Sequence, residues 1–215
     1  MFRLIDLDTW PRRPYFEHYA HDVPCTYSIC RDLDITNLRQ RQLRLYPTML
    51  YLLTEQVNRY VEFRTSMDEE GRLGIFDDMH PCYTVFHRET ETFSNIWTEF
   101  HPDYQTFCAR FAEDQQLYGH LEGFSPKPHT PENTFPVSMI PWTDFTGFHL
   151  HLDKGSRYFL PIFTMGRFTQ SDGRCRMPLA MQVHHGVCDG YHAARFLNGL
   201  QERIDTFAPE KEIHL

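Results

Sequence analysis

Two adjacent histidines, His184 and His185, precede Gly186, Val187, Cys188, Asp189 and Gly190. A neutral imidazole can take a proton near neutral pH, because histidine's ordinary pKa is about 6.5. A carboxylate four residues on, at Asp189, either meets the imidazole or pins the turn by pairing with a distant cation. One histidine among 13 is by itself an ordinary core or surface residue. A His-His-x-x-x-Asp-Gly run at the end of a strand and the start of a helix points instead to an active site.

The flanking residues supply those two elements. Leu179, Met181, Val183 and His185 alternate with Ala180, Gln182 and His184, a period of two that predicts a strand. His185 then continues the face of Met181 and Val183, and His184 points the other way. Beyond Gly190 the apolar residues Ala193, Phe196, Leu197, Leu200 and Ile204 fall at helical spacing. Gly186 and Gly190 are read as allowing a tight turn close to a ligand.

The rest of the chain mixes elements without strict alternation. A short strand is expected at Cys25–Ile29, and a helix capped by Asp34 or Thr36 should run toward Leu45. Pro47 suits the first turn of a second helix, with Met49, Leu50, Leu53, Val57 and Tyr60 on its buried side. Strands are expected at Arg72–Phe76 and Tyr83–His87, and an amphipathic helix through Tyr104, Phe107, Phe111 and Ala112. Four consecutive strands follow, over Val137–Ile140, Phe145–Leu152, Ile162–Thr169 and Cys175–His185, with Asp172-Gly173 as the last hairpin turn. This order predicts one α+β domain over residues 1–215, with helices packed on a mixed sheet.

Composition narrows the partners. A net charge of −8 argues against a nucleic-acid binder, and no apolar run is long enough to span a membrane. Met1–Asp6 has no signal-peptide core, and the six cysteines form no Cys-x-x-Cys pair, so reduced thiols in the cytoplasm are expected. Aromatic residues make up 15% of the chain, which suits a thick core or an aromatic-lined small-molecule pocket. His149 and His151 form a His-x-His pair able to ligate a metal. Nothing fixes a third ligand beside them, and no metal is expected. No glycine-rich phosphate loop is present.

The run from Gln182 to His192 resembles the signature of the chloramphenicol acetyltransferases. Further blocks carry the same resemblance: Tyr46-Pro47, Thr84–His87 with Glu91–Ser94, Ser138–Trp142 and Pro161–Met165. They occur in family order over nearly the whole chain. The resemblance implies a two-layer sandwich, a homotrimer with active sites in clefts between subunits, and acetyl-CoA and chloramphenicol as substrates. It implies a cytoplasmic resistance enzyme with His185 as general base, which acetylates the primary hydroxyl of the antibiotic by direct attack. Ser138 matches the serine that stabilises the oxyanion, and Asp189 and Arg12 match an ion pair that holds the site. Tyr19, Cys25, Tyr27, Phe93, Phe148, Leu150 and Tyr158 match pocket positions, with Thr164 near the reacting groups. The chain departs from the family pattern at His18, Gly186 and His151. Two alternatives share the same residues: O-acetylation of a different hydroxylated acceptor, and non-catalytic sequestration of an aromatic antibiotic.

Overall fold

The computed structural model describes residues 1–152 and 157–209. Its main sheet joins β2 (Thr26–Asp34), β10 (Arg174–His184), β8 (Ile162–Gly166), β7 (Thr134–Ile140), β5 (His80–His87) and β6 (Thr92–Trp97) in that order. β9 (Thr169–Ser171) pairs with the start of β10. The sheet is mixed: β5–β7 and β7–β8 run parallel, the other pairs antiparallel. A small antiparallel sheet orders β1 (Phe2–Leu4), β4 (Leu73–Phe76) and β3 (Thr65–Met67).

Register decides what each face of the main sheet does. Ile96, Tyr83, Val137, Phe163 and Met181 form one continuous row across five strands, and all are buried. Phe163 stacks on Phe196 of α5 (Gly190–Thr206), so this is the face beneath the helices. α3 (Leu45–Arg59) lies beside α5 in that layer, and α4 (Tyr104–Tyr118) packs against α3. The periodic residues of α5, Ala193, Phe196, Leu197, Leu200 and Ile204, are all buried, as their spacing requires. The layers are those of an α+β two-layer sandwich, helices on a mixed sheet.

The opposite face alternates with the first, and the chain covers it only in part. Thr164, Ala180 and Gln182 are buried there, while Cys82, Pro136 and Ser138 are half-exposed. The covering segment is 145–150, which was expected to be part of a strand and is irregular. Its Phe148 N–H donates to Cys30 Sγ at 3.3 Å, and its Leu150 N–H to Gln182 Oε1 at 2.9 Å. Alternation reports which way side chains point, not where backbone hydrogen bonds go; here they go to side chains. Leu150 and Leu152 are left 39% and 37% exposed.

Three smaller expectations also change. The helix expected to reach Leu45 stops at Gln40 as α2 (Thr36–Gln40), and the chain reverses at Gln42, whose φ is 58°. β8 ends at Gly166 rather than Thr169, because Arg167 N–H turns to Thr143 O. Gly186 and Gly190 are absent from the positive-φ residues, so the turn does not require glycine for its backbone. Asp172 and Gly173 behave as expected: φ values of 51° and 74° make the two-residue hairpin turn.

Candidate active site

β10 ends at His184, and the chain turns at once: Val187 and Cys188 N–H both donate to His184 O. His184 is 1% exposed, packs on Phe159, and accepts from Gly186 N–H at Nδ1, so it is a core residue. A methyl group at Gly186 would stand 3.0 Å from that Nδ1 and push the ring aside. His185 lies one residue beyond the strand and continues its ladder, donating its N–H to Cys25 O at 2.9 Å. Its ring stacks on Tyr19 at 3.9 Å between centroids and 10° between planes, and Tyr27 meets it edge-on at 5.3 Å. The two histidines are therefore separated as the alternation predicted, one into the core and one toward solvent.

The His185 ring is held on a second side by charge. Its Nδ1 is buried 3.3 Å from Asp189 Oδ1, out of line for a well-formed hydrogen bond. Asp189 is the N-cap of α5, and Arg12 grips its carboxylate with both terminal nitrogens, at 2.6 and 3.1 Å. This fork geometry fixes orientation as well as distance. Hydrogen bonding from Arg12 holds the Asp189 carboxyl below the usual range, despite some burial. For Arg12, burial is the largest single influence and works against the charge, but the hydrogen bond to Asp189 and the surrounding negative charge together outweigh it, so its pKa rises. Arg12 stands just before α1 (Arg13–Glu17), which runs into a π turn (His18–Asp22) carrying Tyr19. His18 packs edge-on against Tyr19 at 4.8 Å.

Tyr27 OH donates to Cys188 O at 3.1 Å, and burial pushes the tyrosine's pKa up. Burial likewise pushes the Cys188 thiol up to about 12, so it stays protonated and inert at neutral pH. Arg12, Tyr19, Cys25, Tyr27, His185 and Asp189 thus converge at the end of β10.

The remaining residues singled out in the sequence assemble elsewhere. Ser138 on β7 exchanges a hydrogen bond with Thr164 on β8 at 3.0 Å. In register, Ser138 lies opposite Thr164, and Thr164 opposite Ala180 of β10. His185 is five residues past Ala180, so strand geometry puts Ser138 roughly 20 Å from it, about 17 Å along the strands and about 10 Å across them. Phe148 and Leu150 pack near Thr164 around a void with no room for water. Tyr158 lines a cleft of about 600 Å³ with Cys82, Asn95, Phe124, Pro136 and Leu160. Phe93, on the same face of β6 as Asn95, is half-exposed and packs against Phe124 at the cleft's edge. Pro136 precedes Ser138 by two residues on one face of β7, so the cleft runs toward Ser138. The residues singled out in the sequence therefore fall into two groups on this chain, one at the end of β10 and one along β7 and its cleft.

The chain matches the model of the chloramphenicol acetyltransferase family over residues 1–201. It belongs to that family. A chloramphenicol acetyltransferase of Vibrio anguillarum is 54% identical over 95% of each chain. One of Campylobacter coli is 53% identical over 95% of this chain and 99% of its own. A solved chloramphenicol acetyltransferase structure superposes with a TM-score of 0.82 at 24% identity, covering 95% of this chain and all of its own. The family uses acetyl-CoA as co-substrate. Among the described residues no group of three or more His, Cys, Asp or Glu is arranged to hold a metal, and no helix is long and apolar enough to cross a membrane.

Sequence reasoning passed over Cys82, Asn95 and Phe124 in the cleft, and His192 and Glu62 behind Asp189. His192 had a readable signal, since it stands three residues after an N-cap aspartate. Glu62 had none, because only the packing of α3 against α5 brings it near.

The Arg12–Asp189 pair leads to a thermodynamic expectation. Removing either partner should cost between the ~1 kcal/mol of an exposed pair and the ~3–5 kcal/mol of a buried one. In a double-mutant cycle the two losses should be strongly non-additive; additive losses would mean the pair is decorative. Because the Asp189 carboxyl is depressed, its stabilisation is complete above the unfolded value of about 4. It is lost only as pH falls through the lower folded value. Between pH 7 and 5 the pair should therefore stay intact, which carboxyl NMR shifts of Asp189 would report.

Proposed function

We propose that this protein transfers the acetyl group of acetyl-CoA to the primary hydroxyl of chloramphenicol, with His185 as general base. The observation that carries the reading is the His185 imidazole, with Tyr19 stacked on it and its Nδ1 buried against the Arg12–Asp189 pair. With Nδ1 enclosed, Nε2 is the nitrogen left to meet a substrate. It takes the hydroxyl proton as the oxygen attacks the thioester carbon. A C–O bond forms and the carbonyl electrons move onto oxygen. Collapse of that intermediate expels the CoA thiolate, which recovers the proton from the imidazolium. An alcohol needs this assistance because its neutral form is weakly nucleophilic.

Ser138 is the oxyanion donor in this reading. Its hydroxyl, shared with Thr164, stands on a sheet face next to the cleft lined by Tyr158. Roughly 20 Å separates it from His185 of the same chain. The reacting atoms need base and donor within about 3 Å, so the pair must come from different copies. The incompletely covered sheet face, with Leu150 and Leu152 exposed, supports docking of a second copy there. Such a head-to-tail contact closes into a ring, and a cyclic trimer with three sites is the assembly proposed. Sedimentation should give a trimer, and a fully active monomer would contradict the shared site. In this reading Tyr19, Cys25 and Tyr27 wall the acceptor on one side. Phe93, Phe148, Leu150 and Tyr158 wall it on the other. A cytoplasmic location completes the proposal.

The test is release of free thiol from acetyl-CoA. Release that depends on chloramphenicol supports the proposal. Release with another alcohol and not with chloramphenicol would reassign the acceptor. Chloramphenicol binding without release would make the protein a sequestering one.

A further inference from the structure

We propose that His192 is a positioning residue for this site, whose unprotonated Nδ1 clamps the backbone of Asp189 while Glu62 holds the tautomer that allows it. The proposal rests on the reading of His185 and Asp189 given above. Asp189 N–H donates to His192 Nδ1 at 3.0 Å. A ring nitrogen that accepts carries no proton, so the proton of neutral His192 sits on Nε2. Nε2 lies 3.4 Å from Glu62 Oε1, a charge contact rather than a well-formed hydrogen bond, and the carboxylate favours a proton on that nitrogen. The other oxygen of Glu62 accepts from Arg195 at 3.1 Å, and the Arg195 guanidinium lies 4.3 Å over the Tyr60 ring.

These contacts tie the catalytic turn to the helix layer behind it. Glu62 sits in the short turn Val61–Phe63 after α3, and His192 and Arg195 are on α5. The Asp189 side chain in return faces the N–H of His192, so the two residues take the arrangement of a capping box. Glutamate or glutamine usually fills that third position. Histidine is stiffer and offers a second nitrogen, which Glu62 engages. A fixed Asp189 backbone aims one carboxylate at two targets, the Arg12 fork and the His185 ring. Without the clamp the cap residue can rotate, and His185 loses a side support. Burial lowers the His192 pKa, against the pull of Glu62, which favours the neutral ring the clamp needs.

Two measurements test this. Nitrogen NMR of the histidine-labelled wild-type protein at pH 7 should show His192 neutral with its proton on Nε2. A proton on Nδ1, or an imidazolium, would overturn the clamp without any variant having to fold. Kinetically, His192→Leu should lower kcat by about 10- to 100-fold, the scale of a small misplacement of reacting groups. Both KM values should stay within about threefold, because ground-state binding is not what the clamp supports. His192→Gln restores an acceptor at the capping position and should recover most of the loss. Folded His192→Leu with kcat within about twofold of wild type, or glutamine no better than leucine, would overturn the proposal. If wild type acetylates no hydroxylated acceptor, the reading of the site fails instead, and the tautomer alone judges the clamp.

Discussion

Replacing His185 by Ala should lower kcat for acetyl transfer by about 10²–10⁴-fold, the usual contribution of a positioned general base. The fold should survive. The His185 side chain is 30% exposed, and its structural ties are a ring stack on Tyr19, an edge-on contact with Tyr27 and an off-line contact with Asp189. His184→Ala should behave in the opposite way. That ring is 1% exposed, fills space against Phe159 and accepts from Gly186 N–H. Its loss leaves a cavity and an unpaired buried donor, so melting temperature should drop before any specific effect on turnover. Measuring kcat and melting temperature on both variants separates the roles. A folded His185→Ala protein with near-normal turnover would remove the base assignment.

Ser138→Ala should lower kcat by about 10²–10³-fold and leave both Michaelis constants nearly unchanged, since an oxyanion donor acts mainly in the transition state. A strand residue with no such role would instead cost a little stability and leave turnover alone. The same variant tests where the site lies. Neither Ser138→Ala nor His185→Ala subunits should work alone. Unfolded together in equal amounts and refolded, they should regain about a quarter of wild-type activity. In a random ring, that is the fraction of clefts that draw His185 from one variant and Ser138 from the other. A mixture no better than its components would put both residues in one chain's site and defeat the shared cleft.

Much of the positioning was legible locally. The period of two from Leu179 to Val183 and the helical spacing from Ala193 to Ile204 are read one residue at a time, and both elements form as spaced. The Asp172-Gly173 turn is legible for the same reason, because a two-residue hairpin with positive φ at both positions selects those residue types. Segment 145–152 misled because the same alternation serves a strand and a loop laid over a sheet. Only the partners of its N–H groups, Cys30 Sγ and Gln182 Oε1, tell them apart, and those are far away in sequence.

From the sequence by itself follow the strand–turn–helix that carries the His pair, the segregation of His184 from His185, and the family to which the motif order belongs. These depend on interactions within a few residues, or on residue types in order. The tertiary structure alone decided that Arg12 reaches Asp189 across 177 positions, and that Tyr19 stacks on His185. It alone decided that Glu62 stands behind His192, and that Ser138 lies roughly 20 Å from the histidine it was expected to serve. Those facts depend on strand order and register, which set distances between residues remote in the chain. A one-dimensional pattern records which face a side chain takes, and says nothing of which strand lies beside it.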